Sequence, residues 1–188
     1  ISLEPSAPLH AELARVLERL GILPDAIAQA GRAAALESSA EHHSLKAELH
    51  VRWRQSDLAV EEYSKALALS PGSGGLLFRR AQAYSTAGRL PEALRDAEAA
   101  WKARPEDPAL PAWTAQLLAQ QGRYSQAWRR CGLVSDPALS AFSRAYVRLH
   151  ARRYEEALAE LAACRRLAGQ GALERRASVT GVQIGYYF

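Results

Sequence analysis

The sequence predicts an all-α protein built from about five pairs of antiparallel helices set in series. Three observations lead there. Alanine, leucine, arginine and glutamate dominate the 188 residues, and all four are strong helix formers. β-Branched residues are sparse until the last dozen positions, so a sheet has little to draw on. One short turn motif also recurs along the chain at a near-constant interval, which is the mark of a repeat.

The motif is Gly21-Ile22-Leu23-Pro24-Asp25-Ala26, then Gly88-Arg89-Leu90-Pro91-Glu92-Ala93, Gly122-Arg123-Tyr124-Ser125-Gln126-Ala127 and Arg152-Arg153-Tyr154-Glu155-Glu156-Ala157. A further copy runs from Arg54 to Ala59, with Ser56-Asp57 at the turn. The alanines Ala26, Ala59, Ala93, Ala127 and Ala157 are spaced by 33, 34, 34 and 30. Each position has a physical reason. A glycine before the second helix can take positive φ and end the first. Proline at the start of the second helix (Pro24, Pro91) sacrifices no hydrogen bond, because that N–H has no partner there. Asp57 is expected to cap its helix. The recurring alanine lets two helices approach closely. Pro71 and Pro105, again 34 apart, close their helices before the next pair.

Taken in order, the elements are helix pairs at 7–20/23–37, 40–54/57–69, 74–87/90–103, 108–121/124–133 and 138–150/153–167. In the second pair Leu58, Ala59, Tyr63, Ala66 and Leu69 are expected to form the inward face, and in the third Ala93, Leu94, Ala97, Ala100 and Trp101. One such pair cannot bury its apolar face alone, so the pairs must stack. Residues 1–6 read as a lead-in, 7–167 as the helical array, and 168–177 as a capping helix centred near 171–177. Residues 178–188 read as an extended, strand-like tail.

This pattern resembles the tetratricopeptide repeat (TPR), a 34-residue helix–turn–helix unit. The third pair matches best, through Leu77, Ala81, Tyr84, Gly88, Ala93, Ala100 and Pro105. The second supplies Ala47, Ala59, Tyr63, Ala66 and Pro71, and the fourth Ala115, Leu118, Gly122 and Ala127. The outer two are weaker, and the fifth has Arg148 where an aromatic residue or leucine is usual. The resemblance covers residues 7–167. It implies a right-handed superhelical solenoid whose first helices line a concave groove that holds a peptide or partner protein. It implies a scaffold rather than an enzyme.

Carried onto this chain, the concave positions are Glu12, Arg15 and Arg19 in the first pair and Glu41, Leu45 and Glu48 in the second. Phe78, Arg79 and Gln82 follow in the third, then Ala112, Trp113, Gln116 and Gln120 in the fourth. The expected partner-binding residues are Arg15, Glu48, Phe78, Arg79, Gln82, Trp113 and Gln116. Trp113 reads as an aromatic anchor and Arg79 as a carboxylate partner. Gln82 and Gln116, 34 apart, read as a ladder for an extended backbone, so replacing both by alanine should weaken binding without loss of helicity. Some members of the family clamp acidic chaperone tails with lysine, asparagine and arginine. The matching positions here are Pro8, Glu12, Leu45, Gly75 and Arg79, and only Arg79 fits, which disfavours that ligand.

Charge is uneven. Residues 1–70 hold 7 Lys/Arg against 10 Asp/Glu, and residues 71–188 hold 17 against 10. The basic part could attract an acidic partner. The arginine pairs at 79–80, 129–130, 152–153, 165–166 and 175–176 are scattered over five elements without a stacking set, so nucleic acid is not the expected partner. The Ser70–Gly75 run lacks the GK[ST] ending of a phosphate loop. No nucleophile motif appears, and His42, His43 and His50 lack a third ligand, so no catalytic residue, metal, cofactor or small-molecule substrate is assigned. Cys131 and Cys164 sit in apolar helical patterns and are expected to be buried thiols.

No apolar run is long enough to span a membrane as a helix. The chain starts Ile1-Ser2 and has no Met, so a processed protein or a piece of a longer one is expected. Val182, Ile184, Tyr186 and Phe188 alternate with Gln183, Gly185 and Tyr187, a strand pattern expected to pair with another chain, to lie along the superhelix, or to belong to a larger domain such as a barrel. This tail resembles strands of bacterial outer-membrane barrels. It brings in an alternative reading, a periplasmic TPR module of an outer-membrane exopolysaccharide export or assembly protein. The compartment is left between cytoplasm and bacterial periplasm.

Overall fold

A computed structural model describes residues 6–168. The expected helix near 171–177, the strand-like tail and residues 1–5 of the lead-in lie outside the described residues. Among the described residues ten helices run in order: α1 (Ala7–Arg19), α2 (Leu23–Leu36), α3 (Ala40–Arg52), α4 (Ser56–Leu69), α5 (Gly74–Thr86), α6 (Leu90–Ala103), α7 (Ala109–Gln120), α8 (Tyr124–Cys131), α9 (Pro137–His150) and α10 (Tyr154–Ala168). The stretch read above as one array folds as two compact units that divide between Ala103 and Arg104.

The five turns inside the pairs share one structure. Gly21, Arg54, Gly88, Gly122 and Arg152 all have φ between 59° and 77°. The N–H of each donates to the carbonyl three residues back at 2.9–3.1 Å, and the next N–H reaches five residues back at 2.8–2.9 Å. That pair of bonds is the Schellman closure, which satisfies carbonyls orphaned at a helix end. The carbonyl of that next residue then accepts from Ala26, Ala59, Ala93, Ala127 or Ala157 at 3.0 Å, starting the second helix. All five alanines are buried.

In the first unit each pair packs on the next, α2 on α3 and α4 on α5. Its core is small-residue rich. Ala11, Ala14, Ala26, Ala30, Ala33, Leu45 and Leu49 join the first pair to the second. Val60 and Tyr63 of α4 meet Ala83, Leu76 and Tyr84 of α5. The side chains of Ser39 and Ser73 cap α3 and α5 by accepting from the N–H of His42 and Leu76. In the second unit α7 packs on α8 and α9, and α9 on α10. Ala138, Ala141 and Cys164 form a cluster with Phe142 and Ala163. Asp136 caps α9 through Leu139 N–H at 2.8 Å.

Some expectations need correction. Asp57 is not a cap: α4 begins at Ser56 after Gln55, which makes no side-chain cap bond, and Asp57 sits in the first turn. Leu58 and Leu69 are exposed, and Val60 and Leu67 take their place inside, because a helix packed on two neighbours turns its face between them. α8 stops at Cys131, two residues early, at Gly132. Both cysteines are buried free thiols, and burial pushes the Cys131 thiol up to about 12.

Candidate functional site: a groove across three first helices

The first helices of the first unit line a hollow of about 310 Å³. α1 contributes Arg15. α3 contributes Ala40, Glu41, Ser44, Leu45 and Glu48, and Ser73 and Leu76 come from α5, with Ser70 beside them. Helical spacing explains the set, since residues 41, 44, 45 and 48 fall on one face of α3.

Two ion pairs tie neighbouring pairs together over this hollow. Arg15 donates to Glu12 at 2.7 Å and to Glu41 at 3.1 Å. Those hydrogen bonds raise its already high pKa. Arg79 of α5 binds Glu48 of α3, and Ser44 Oγ donates to Glu48 at 3.3 Å. Behind them Tyr63 is buried, and burial, with the charge of Glu48, pushes its phenol up to about 12. Five of the seven expected contact residues thus lie in this unit: Arg15 and Glu48 line the hollow, Arg79 holds Glu48, and Phe78 and Gln82 are half-buried on α5.

Trp113 and Gln116 differ. They lie on α7 in the second unit, where every residue from Leu110 to Ala119 is buried. Trp113 is 8% exposed and Gln116 only 4%. Neither has an open side chain for a partner, so exchanging them removes buried contacts rather than free ones. Gln120, at the end of α7, is exposed and donates to Tyr146 Oη at 2.7 Å.

Sequence reasoning missed the ion pairs that close three of the hairpins. Arg80 of α5 grips Asp96 of α6 with two bonds, at 2.6 and 3.0 Å, and also donates to Ser64 Oγ at 3.1 Å. Arg144 of α9 donates to Glu160 of α10 at 2.9 Å. Lys46 of α3 donates to Glu62 of α4 at 3.0 Å. Each pair is 16 residues apart, a recurrence that was present in the sequence. Glu62 is the most committed of these acids. It is buried, yet it holds Lys65 at 2.8 Å, His43 at 2.8 Å and Lys46 at 3.0 Å. Burial alone would raise its pKa, but those three bonds outweigh it and hold the carboxyl at about 2. His43 therefore serves Glu62, while His42 binds the Glu37 carbonyl and His50 binds Gln55.

A second hollow, of about 460 Å³, lies in the second unit between Tyr124, Trp128, Val147, Arg148 and Arg153. Arg148 stacks over Trp128 at 4.4 Å and pairs with Glu156. That stack explains an arginine where the repeat pattern prefers an aromatic residue or leucine: its stem and plane pack like a ring while Glu156 holds its charge.

Solved structures similar to this chain were found at 10–20% identity. YrrB, described as a TPR protein with an unusual peptide-binding site, is 20% identical with a TM-score of 0.68, over 93% of this chain and 92% of its own. TTC0263, a TPR protein from Thermus thermophilus, is 20% identical with a TM-score of 0.64, over 93% and 98%. MamA is 10% identical with a TM-score of 0.73, over 92% and 94%. No family model matches the chain, and no curated protein matches it. The likeness therefore speaks to fold, and with five identical hairpin closures at a near-constant period it shows that this protein is built on the tetratricopeptide-repeat fold.

Proposed function

We propose that the first unit is a peptide-binding scaffold, in which an extended segment of a partner protein lies across α1, α3 and α5. One observation carries this reading. The hollow of about 310 Å³ is shared by the first helices of three successive pairs and is edged by charges that can change partners. The bonds of Arg15 to Glu12 and Glu41 are largely exposed, as is that of Arg79 to Glu48, and such pairs contribute only ~0–1 kcal/mol. An incoming chain of alternating charge replaces them at little cost. The Ser44 hydroxyl, which donates to Glu48, can still accept from its backbone, and the Ser73 hydroxyl, which caps α5, can still donate to it, while Leu45 and Leu76 take an apolar side chain. The YrrB description as a peptide-binding TPR protein supports the same use of the fold.

The partner is best matched by a peptide of mixed sign. A purely acidic one would have to win both arginines from Glu12, Glu41 and Glu48, with those carboxylates left beside it.

Selection of random displayed peptides against the chain tests this. Calorimetry on the selected peptides should show affinity falling about five- to tenfold in Glu41→Ala and in Arg79→Ala, near 1 kcal/mol each. Selected peptides that bind both variants as tightly as the parent would rule the groove out.

A further inference from the structure

Among the described residues, the contact that stacks α4 on α5 is left open at α1 and at α10. Inside the first unit, Val60 and Tyr63 of α4 are buried against Leu76, Ala83 and Tyr84 of α5, and this contact stacks one helix pair on the next. The same positions of α10, counted from the turn alanine, are Leu158 and Leu161. They are 60% and 42% exposed. The same positions of α1, two repeats before α5, are Leu9, Val16 and Leu17. Leu9 is 47% exposed and Val16 41%. Every later residue at the Val16 position, namely Leu49, Ala83, Leu117 and Val147, is buried.

The substitution at a neighbouring position deepens the contrast. Leu13 stands where α3, α5 and α9 carry Lys46, Arg80 and Arg144, the cations that close their hairpins. Leu13 is 43% exposed. Leu9, Leu13, Val16 and Leu20 therefore form one apolar stripe at helical spacing. Among the described residues, α10 and α1 each offer one half of the interface by which α4 packs on α5.

We propose that a second copy of this chain supplies the missing half, with α10 of one copy packing antiparallel on α1 of the next as α4 packs on α5. The contact continues an interface already established within the molecule. Charge agrees with it: antiparallel docking brings the acidic first turn of α10, with Glu155, to the basic last turn of α1, with Arg19. Because the two faces differ, the association is heterologous and propagates into chains or a ring.

Light scattering and sedimentation equilibrium on the whole chain test this from micromolar to near-millimolar concentration. The average mass of the parent should rise with concentration. Leu13→Glu and Leu158→Glu should each remain monomeric, with unchanged circular dichroism, since both side chains are exposed. An equimolar mixture of the two variants should give a one-to-one dimer and nothing larger, because each brings one intact face. A parent that is monomeric throughout would overturn the proposal. So would single variants that still associate, or a mixture that fails to pair. Peptide binding in the groove should be the same in both variants, which separates this outcome from the fate of the function proposed above.

Discussion

At the scale of the residue, the left-handed turn position shows most plainly how sequence and backbone negotiate. Three of the five turns place glycine there, and two place Arg54 and Arg152 at φ 59°. A side chain in that region costs about 1–2 kcal/mol against a right-handed alternative. The Schellman bonds hold the arginines in place regardless, because breaking them would strand two carbonyls. Arg54→Gly should therefore stabilise the protein by about 0.5–1 kcal/mol, the relief being partly offset by the greater freedom of glycine in the unfolded chain. Gly88→Ala should destabilise it by about 1 kcal/mol, although nothing lies within 4 Å of the added Cβ, so conformation alone sets the cost. Urea unfolding of the two variants checks both signs. The glycines were legible as turn residues in the sequence. The arginines were aligned with them in the period but not read as left-handed, since nothing in an arginine announces positive φ.

At the scale of the element, three of the helix pairs are held by apolar contact plus an ionic clasp. α3 and α4 show it best, through Glu62 with Lys46, His43 and Lys65. The folded carboxyl sits at about 2, below its ordinary 4.5, so the folded state binds that proton less readily than the unfolded chain. The stabilisation is present in full above the ordinary value and is lost as pH falls through it towards 2. It amounts to about 2 kcal/mol after allowing for solvent near the two lysines. Glu62→Gln should thus unfold at lower urea than the parent at pH 7, and the gap should narrow steadily from about pH 5 down to 2. A gap that does not change with pH would show that the carboxylate carries no such linkage. The helices themselves were readable from periodicity to within two residues at nearly every end. The clasp was overlooked because a charged residue in a helical pattern reads as a solvated face until a neighbour is seen to cover it.

At the scale of the whole molecule, the division between Ala103 and Arg104 matters most. The first unit holds three helix pairs, its own core clusters and the entire hollow of about 310 Å³. Three stacked pairs suffice for a repeat array to fold. Residues 1–103 expressed alone should therefore be helical, unfold cooperatively and bind the peptides selected for the whole chain with the same affinity. Circular dichroism and calorimetry measure this. A fragment that is unfolded would show that the groove depends on residues beyond it. The predicted contact set fares unevenly at this scale. Arg15, Glu48 and Arg79 gather at one groove, whereas Trp113 and Gln116 are shut inside a helix buried on all faces. They stand 34 residues after Arg79 and Gln82 of α5. Phase, however, says which way a side chain points and not what lies over it.

By itself, the sequence determined the helices, their pairing and their period, because these depend on interactions within about 34 residues: helix propensity, turn geometry and the small residue that lets two helices close. Tertiary structure alone decided which polar groups are spent inside and which face solvent. It turned Glu62 and Asp96 from surface charges into buried clasps, set Leu58 outside and Val60 inside, and among the described residues left the apolar stripes of α1 and α10 exposed. Burial is a property of neighbours brought together from distant positions, so no local pattern contains it.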